Sequence, residues 1–345
     1  MFLNYSLFLL YNEFVKRGIM IITKTPFRID FAGDGTDLPS FYEKEFGCVT
    51  SVSIKKYVYI TAHKSFDNTI TLKYSQHEKV NDVEELKNER AREALKLTGV
   101  RKGIEIHSVA DMPAQTGLGS SSSFVVGMLN ALYAYNQKLA SADRLAREAF
   151  EIEVLKLGNP IGKQDHYAAA YGGLNYLQFN SDNSVGVRPI IMAKNMRNEL
   201  QKNLIMFYTG FLRSASDILA GQKKDIETNK EKFAYMQRMR DIGVEMRDSL
   251  LAGDLMSFAE LLDKNWQYKK QMNPSVTNPQ IDKWYTLAKE HGALGGKISG
   301  AGAGGFLVVY CEEEKQDKLI RALPELKPYP VEFEPEGSKI IYVHE

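Results

Sequence analysis

Pro113-Ala-Gln-Thr-Gly-Leu-Gly-Ser-Ser-Ser-Ser123 runs directly into an apolar stretch, Phe124 to Tyr135, that reads as a helix. Gly117 and Gly119 allow torsions and close backbone approach that larger residues resist. The serines then open a helix whose first amides lack intrahelical partners. A glycine turn feeding a helix N-terminus is an anion site. Its amides and dipole would favour a polyphosphate, and a serine hydroxyl there could reach a bound Mg2+. The same pattern also serves as an ordinary serine cap after a turn, so the rest of the chain has to decide.

The chain has 345 residues, enough for two domains or one large one, with the composition of a soluble globular protein: 44% hydrophobic and 25% charged. A net charge of +1 offers no field for a nucleic acid or an acidic membrane, so neither partner is expected and phosphate recognition must be local. Cys48 and Cys311 cannot build a disulfide framework or a cysteine-rich zinc site; they read as reduced core thiols of a cytoplasmic protein. Met1 to Leu10 is apolar but too short to span a bilayer and lacks the flanks of a signal peptide. Met20 looks like the start of the first strand, which makes residues 1–19 an expected N-terminal extension.

Upstream of the loop, Met20 to Phe31 is a strand leading into the polar turn Ala32-Gly-Asp-Gly-Thr-Asp37, a common kind of place to hold substrate. Residues 48–64 read as one or two strands and 69–74 as another. The charge run from Glu78 to Arg101 fits a helix with a solvated outer face, a surface and not a binding patch. A strand over 103–109 delivers the chain into the loop. Downstream, a helix capped by Ser141 runs to Leu157 and stops at Gly158-Asn-Pro160. Then comes Ile161-Gly-Lys-Gln-Asp-His-Tyr-Ala-Ala-Ala-Tyr-Gly-Gly173, whose small residues imply tight packing around one acid, one lysine and one histidine. A polar stretch near 193–203 divides the sequence into 20–193 and 194–345. In the second part, helices end at a dense glycine run, Gly292 to Gly305, that enters the strand Phe306 to Tyr310. Such a run must be packed, and it lets backbone approach a ligand or the first glycine loop.

Three glycine turns therefore punctuate the chain, near 33–37, 117–123 and 299–305. The first lacks the third glycine of a dinucleotide fingerprint, and the second lacks the Gly-Lys-Ser ending of a Walker loop. Pro113-x-x-x-Gly117-Leu-Gly-Ser-Ser121 resembles the ATP loop of the GHMP kinases. Thr25-Pro-Phe-Arg-Ile-Asp-Phe-Ala-Gly33 and Lys297-Ile-Ser-Gly-Ala-Gly-Ala-Gly-Gly305 resemble that family's other two motifs, in the same order. The resemblance spans 20–345. Phe31 to Pro39, Lys163 to Gly173 and Tyr208 to Ala215 look most like the D-glycero-D-manno-heptose 7-phosphate kinase branch, with departures at Asp34, where glycine is expected, and His166, where glutamine is common.

The resemblance implies a two-domain α+β fold, with an N-terminal domain of the ribosomal protein S5 domain 2-like type, a ferredoxin-like C-terminal domain and an active site between them. It implies ATP and Mg2+ as cofactors, and phosphorylation of the anomeric C1 hydroxyl of the heptose 7-phosphate to the 1,7-bisphosphate, by a monomer or homodimer. Kinases of fucose or galactose are alternatives, although the galactokinase Gly-Glu-His-Thr-Asp pattern is missing. A non-catalytic sugar sensor on this fold is a further one.

Carried over by residue, the resemblance makes Asp165 the catalytic carboxylate that takes or orients the attacking hydroxyl's proton. An acid set among alanines and glycines is sheltered, as phosphoryl transfer requires, although a helix cap also uses aspartate. Pro113, Gly117, Leu118, Gly119, Ser120, Ser121 and Ser122 would hold ATP. Glu153 and Ser121 would hold Mg2+ through hard oxygens, with Glu151 a bystander. Arg28 would stabilise the transferring phosphoryl group or grip substrate. Gly35, Thr36, Asp37 and Gly302 fall to the sugar, and Lys163 and Arg213 to its distal phosphate. His166 reads as a packed neighbour, and Tyr57, Tyr59 and Tyr74 as core or cross-strand aromatics instead of an adenine clamp.

Overall fold

Strand β1 (Met20–Ala32) alternates buried and half-buried positions up to Thr25 and is then buried throughout, as befits a strand covered on both faces. The computed structural model describes residues 19–212 and 229–344. The expected extension therefore lies outside the described residues, apart from Ile19, which packs against the first core. Residues 48–64 form one strand, β2 (Gly47–Lys64), antiparallel to β1, with a slip in register between Pro26 and Phe27. Proline brings no N–H to the ladder, and the slip falls beside it.

β3 (Ile70–Lys73), β4 (His77–Val80), β5 (Ile104–Ala110), β6 (Leu174–Phe179) and β7 (Val185–Pro189) extend this sheet. Helices α1 (Glu89–Thr98), α2 (Ser120–Tyr135), α3 (Ala142–Phe150) and α4 (Gln164–Tyr171) belong to the same half. α2 is apolar almost all round and packs on β1 and β2, which is why it is nearly enclosed. α3 continues past Phe150 through a π-helical turn, Glu151–Lys156, and ends at Leu157, where the Gly158-Asn-Pro160 stop predicts.

α5 (Lys194–Asn203) occupies the polar stretch and leads into β8 (Leu204–Tyr208). α6 (Lys230–Ala252), α7 (Leu255–Met272), α8 (Pro279–Glu290) and α9 (Glu313–Ala322) accompany β9 (Ala293–Ile298), β10 (Phe306–Cys311) and β11 (Lys327–Pro330). The second sheet has the order β11-β8-β10-β9, all antiparallel, over a core that includes Phe207, Trp266 and Val309. α6 crosses to the first sheet, where Gly243 lies so close to Cys48 that a Cβ would come 2.9 Å from its sulfur. The last strand, β12 (Lys339–His344), returns to pair with β1. The first sheet thus reads β12-β1-β2-β5-β3-β4, with β6 and β7 beside the other end of β2. Two α+β halves result, joined by both the α6–α7 pair and the C-terminal strand.

Candidate active site

The Pro113 loop takes the shape its glycines permit. Gly117 and Gly119 sit at φ of 76° and 77°, and Gly119 precedes α2 with no side chain capping the first amides. Those amides belong to Ser120, Ser121 and Ser122, all three in the wall of a cavity of about 630 Å³. The third glycine run closes on the loop from the second half. Ser299 Oγ donates to Gly117 O at 2.9 Å, and a Cβ on Gly117 would sit 2.3 Å from Ser299 O. On Gly305 it would meet Thr116 O at 2.1 Å. Pro113 and Leu118 shape the loop without lining the cavity: Thr116 Oγ1 donates to Pro113 O, and Leu118 O accepts the Arg28 amide.

The same cavity is lined by Asp165, in the first turn of α4 and one-quarter exposed, whose carboxylate would lie 3.5 Å from a Cβ on Gly119. Arg28 of β1 grips it with two bonds, Nε to Oδ1 at 2.7 Å and Nη2 to Oδ2 at 2.9 Å. Its remaining nitrogen, Nη1, donates to Gly117 O at 2.6 Å. Burial works against the guanidinium's charge, yet the carboxylates of Asp165 and Asp30 outweigh it and hold Arg28 more firmly protonated than usual. Asp37 shares the cavity wall, with Oδ1 accepting from Gly35 N at 3.1 Å and Oδ2 from Gln164 N at 3.0 Å. Burial, helped by the charge of Asp165, pushes its carboxyl up to about 6 against the pull of those amides.

Glu153, on the π turn, is fully buried behind Ser121. Its Oε1 accepts from Ser121 Oγ and, at 2.7 Å, from Arg90 Nε; its Oε2 accepts from Ser122 Oγ at 2.9 Å and faces His166 Nε2 at 2.9 Å. Burial alone would raise its pKa, but His166, Arg90 and Ser121 together bring it down to about 2. His166 Nδ1, also buried, has no partner among the described residues. Glu151 points elsewhere and pairs with Lys156 at the surface. A carboxylate and a hydroxyl in direct contact are hard oxygen donors of the kind Mg2+ takes, and the pair fits that ion.

Several expectations change. The charge run is not only surface: Arg90 reaches Glu153, and both Asn88 and Arg90 line the cavity. Tyr57 and Tyr59 pair ring to ring, and Tyr74 packs against the first core as expected but also lines the cavity, with Val58, Met112 and Phe124. Thr36, Lys163 and Gly302 do not line the cavity. The Thr36 hydroxyl pins Gly33 and Cys48. The Lys163 ammonium donates to Asn183 O and Oδ1 at 3.0 and 3.2 Å over the Tyr42 ring, and Gly302 is packed against Val276. Arg213 lies outside the described residues.

Asp34, the departure from the expected glycine, is matched by cations from the second half. Lys269 and Lys297 both donate to it, as does Asn265 at 3.2 Å, and Lys297 also bonds Asp30. Burial opposes the charge on Asp34, but the two lysines hold it well below the usual carboxylate range. Asp34 and Lys269 both reach the cavity wall.

The description "GHMP kinases N terminal domain" matches residues 85–173, and "GHMP kinases C terminal" matches 246–328. A D-glycero-alpha-D-manno-heptose 7-phosphate kinase from Campylobacter jejuni is 32% identical over 91% of this chain and 96% of its own. A galactokinase from Pyrococcus furiosus is 25% identical over 91% of this chain and 94% of its own. Among solved structures, a D-glycero-D-manno-heptose 1-phosphate kinase from Bacteroides thetaiotaomicron superposes with a TM-score of 0.78 at 24% identity, covering 94% of this chain and 100% of that one. With both domains matched in order on a cavity ringed by an amide loop and an arginine-held carboxylate, the chain belongs to the GHMP kinase family. It is a sugar kinase, a phosphotransferase of a family that uses ATP.

Proposed function

We propose that the protein transfers the terminal phosphoryl group of ATP to the anomeric C1 hydroxyl of D-glycero-D-manno-heptose 7-phosphate, giving the 1,7-bisphosphate. The observation that carries the phosphoryl-transfer chemistry is the placement of Asp165, fixed by Arg28 in the wall of the same cavity as Ser120 to Ser122. Asp165 takes the proton of the attacking hydroxyl at a carboxylate oxygen that Arg28 keeps oriented. The α2 amides hold the polyphosphate, and the Arg28 charge lies beside the group in flight. Asp37 binds sugar hydroxyls, and Val58, Met112 and Phe124 receive the nucleotide base. Ser121 and Glu153 would hold Mg2+, which supplies neutralisation of phosphate charge.

The choice of heptose phosphate rests on the motif details and on the name of the 32% identical relative. No helix among the described residues is long and apolar enough to cross a membrane. We place it in the cytoplasm on the strength of its two free, buried cysteines.

The test is to incubate the protein with Mg·ATP and a panel of hexoses, heptoses and heptose phosphates, and to locate new phosphate by 31P NMR. Phosphate appearing at C1 of the heptose 7-phosphate is the expected result. Turnover of unphosphorylated hexoses alone would favour a galactose- or fucose-type kinase, and turnover of none would favour a sensor.

A further inference from the structure

His63 of β2 and Glu105 of β5 are directly opposed across the strand pair, and His107 follows two residues on from Glu105. Side chains along a strand alternate between faces. Ile104 and Ile106 are buried, and Ser108 and Ala110, of the same parity, line the cavity. Glu105 and His107 therefore stand on the opposite face of the sheet. There, half-exposed with His63, they offer one ligand atom each, all within 4.8 Å of one another.

Two details suit these groups to a metal. His63 Nδ1 lies 3.0 Å from Lys64 O, a carbonyl that orients the ring in the tautomer that leaves Nε2 free to ligate. A backbone carbonyl on the far nitrogen is the usual way a ligating histidine is oriented. His107 Nε2 lies 2.7 Å from Glu105 Oε1, so a metal would take the place of the proton between them.

We propose that His63, Glu105 and His107 form a Zn2+ site on the outer face of the first sheet. Two imidazoles and one carboxylate are a borderline-soft donor set that selects Zn2+ over Mg2+ and leaves a position for water. The ion would clip β2 to β5, the strand whose other face carries part of the cavity wall. Lys73, whose ammonium lies 2.8 Å from Glu105 and is 43% exposed, is the competing cation and can swing into solvent.

The test is isothermal titration of Zn2+ into the chelator-stripped full chain without a histidine tag, with Mg2+ in excess to fill hard-oxygen sites, alongside thermal melts. The wild type binds one Zn2+ and melts higher with it. His63→Ala and His107→Ala each weaken binding by about tenfold or more, while kinase turnover with Mg2+ stays at the wild-type level. Lys73→Gln tightens binding severalfold, because a like charge is removed. His63→Gln, which keeps bulk and polarity, serves if either alanine variant fails to fold. No zinc-dependent heat in the wild type, or unchanged binding in the folded histidine variants, would overturn the proposal.

Discussion

Arg28 and Asp165, 137 residues apart in sequence, meet in a two-point contact of 2.7 and 2.9 Å, while the third nitrogen of the same guanidinium holds Gly117 O. One planar group thus ties the carboxylate and the Gly117 loop into a single geometry. A rigid fork matches a carboxylate in a way a point charge does not.

Arg28→Lys keeps a cation but loses the fork. Steady-state kinetics should show kcat falling by about a hundredfold, with a smaller change in KM for ATP, because the lost interaction orients the reacting group. A kcat within twofold of wild type would mean that Asp165 is positioned without Arg28.

Lys297 is fully buried between Asp30 and Asp34. Lys297→Met leaves two carboxylates short of a partner, and chemical denaturation should register a loss of about 3–5 kcal/mol. Adding Asp30→Asn to this variant removes one of the stranded charges and should restore part of the loss. If the double variant is less stable than the single one, the pairing is not what Lys297 contributes.

Asp37 gives stability a pH dependence. Its carboxyl has an ordinary value of 3.8 in the unfolded chain and about 6 when folded, raised by burial and then by Asp165. Between these values the folded protein holds a proton that the unfolded chain has released, so stability falls as pH rises through this window and stays lowered above it. The difference corresponds to roughly 3 kcal/mol. Asp37→Asn should flatten the fall, measured by denaturation at pH steps across the window, and should raise KM for the sugar. A pH profile identical to wild type would show that another group titrates there.

Stripping the protein with a chelator should abolish turnover, and Mg2+ should restore it. Ser121→Ala should need about tenfold more Mg2+ for half-maximal rate, since one hard donor beside Glu153 is gone. An unchanged Mg2+ requirement would remove Ser121 from the metal site.

The loop and its glycines are legible in sequence because their signals are local: φ values only glycine takes easily, then serines at a helix start. Asp165 is legible for a similar reason, as one acid among small residues. Arg90 is not. Its neighbours spell a solvated helix face, and its partner Glu153 is 63 residues away on a π turn that helical periodicity does not announce. The match between Asp34 and Lys269, 235 residues apart, is likewise a product of the two halves closing together. Lys163 misleads in the opposite sense: adjacent to the site in sequence, it is drawn off by Asn183 and the Tyr42 ring. The stop expected near Leu157 holds, but the turn before it is π-helical from Glu151, a widening that 3.6-residue periodicity does not announce.

The most direct test is sugar-dependent ADP release by Asp165→Asn beside the wild type, with Mg·ATP and the heptose 7-phosphate, after confirming that the variant still binds the nucleotide. Loss of the proton-accepting carboxylate should slow release by about 10²–10⁴-fold while nucleotide affinity is retained. Release at the wild-type rate would contradict the assignment of Asp165 as the group that takes the hydroxyl proton.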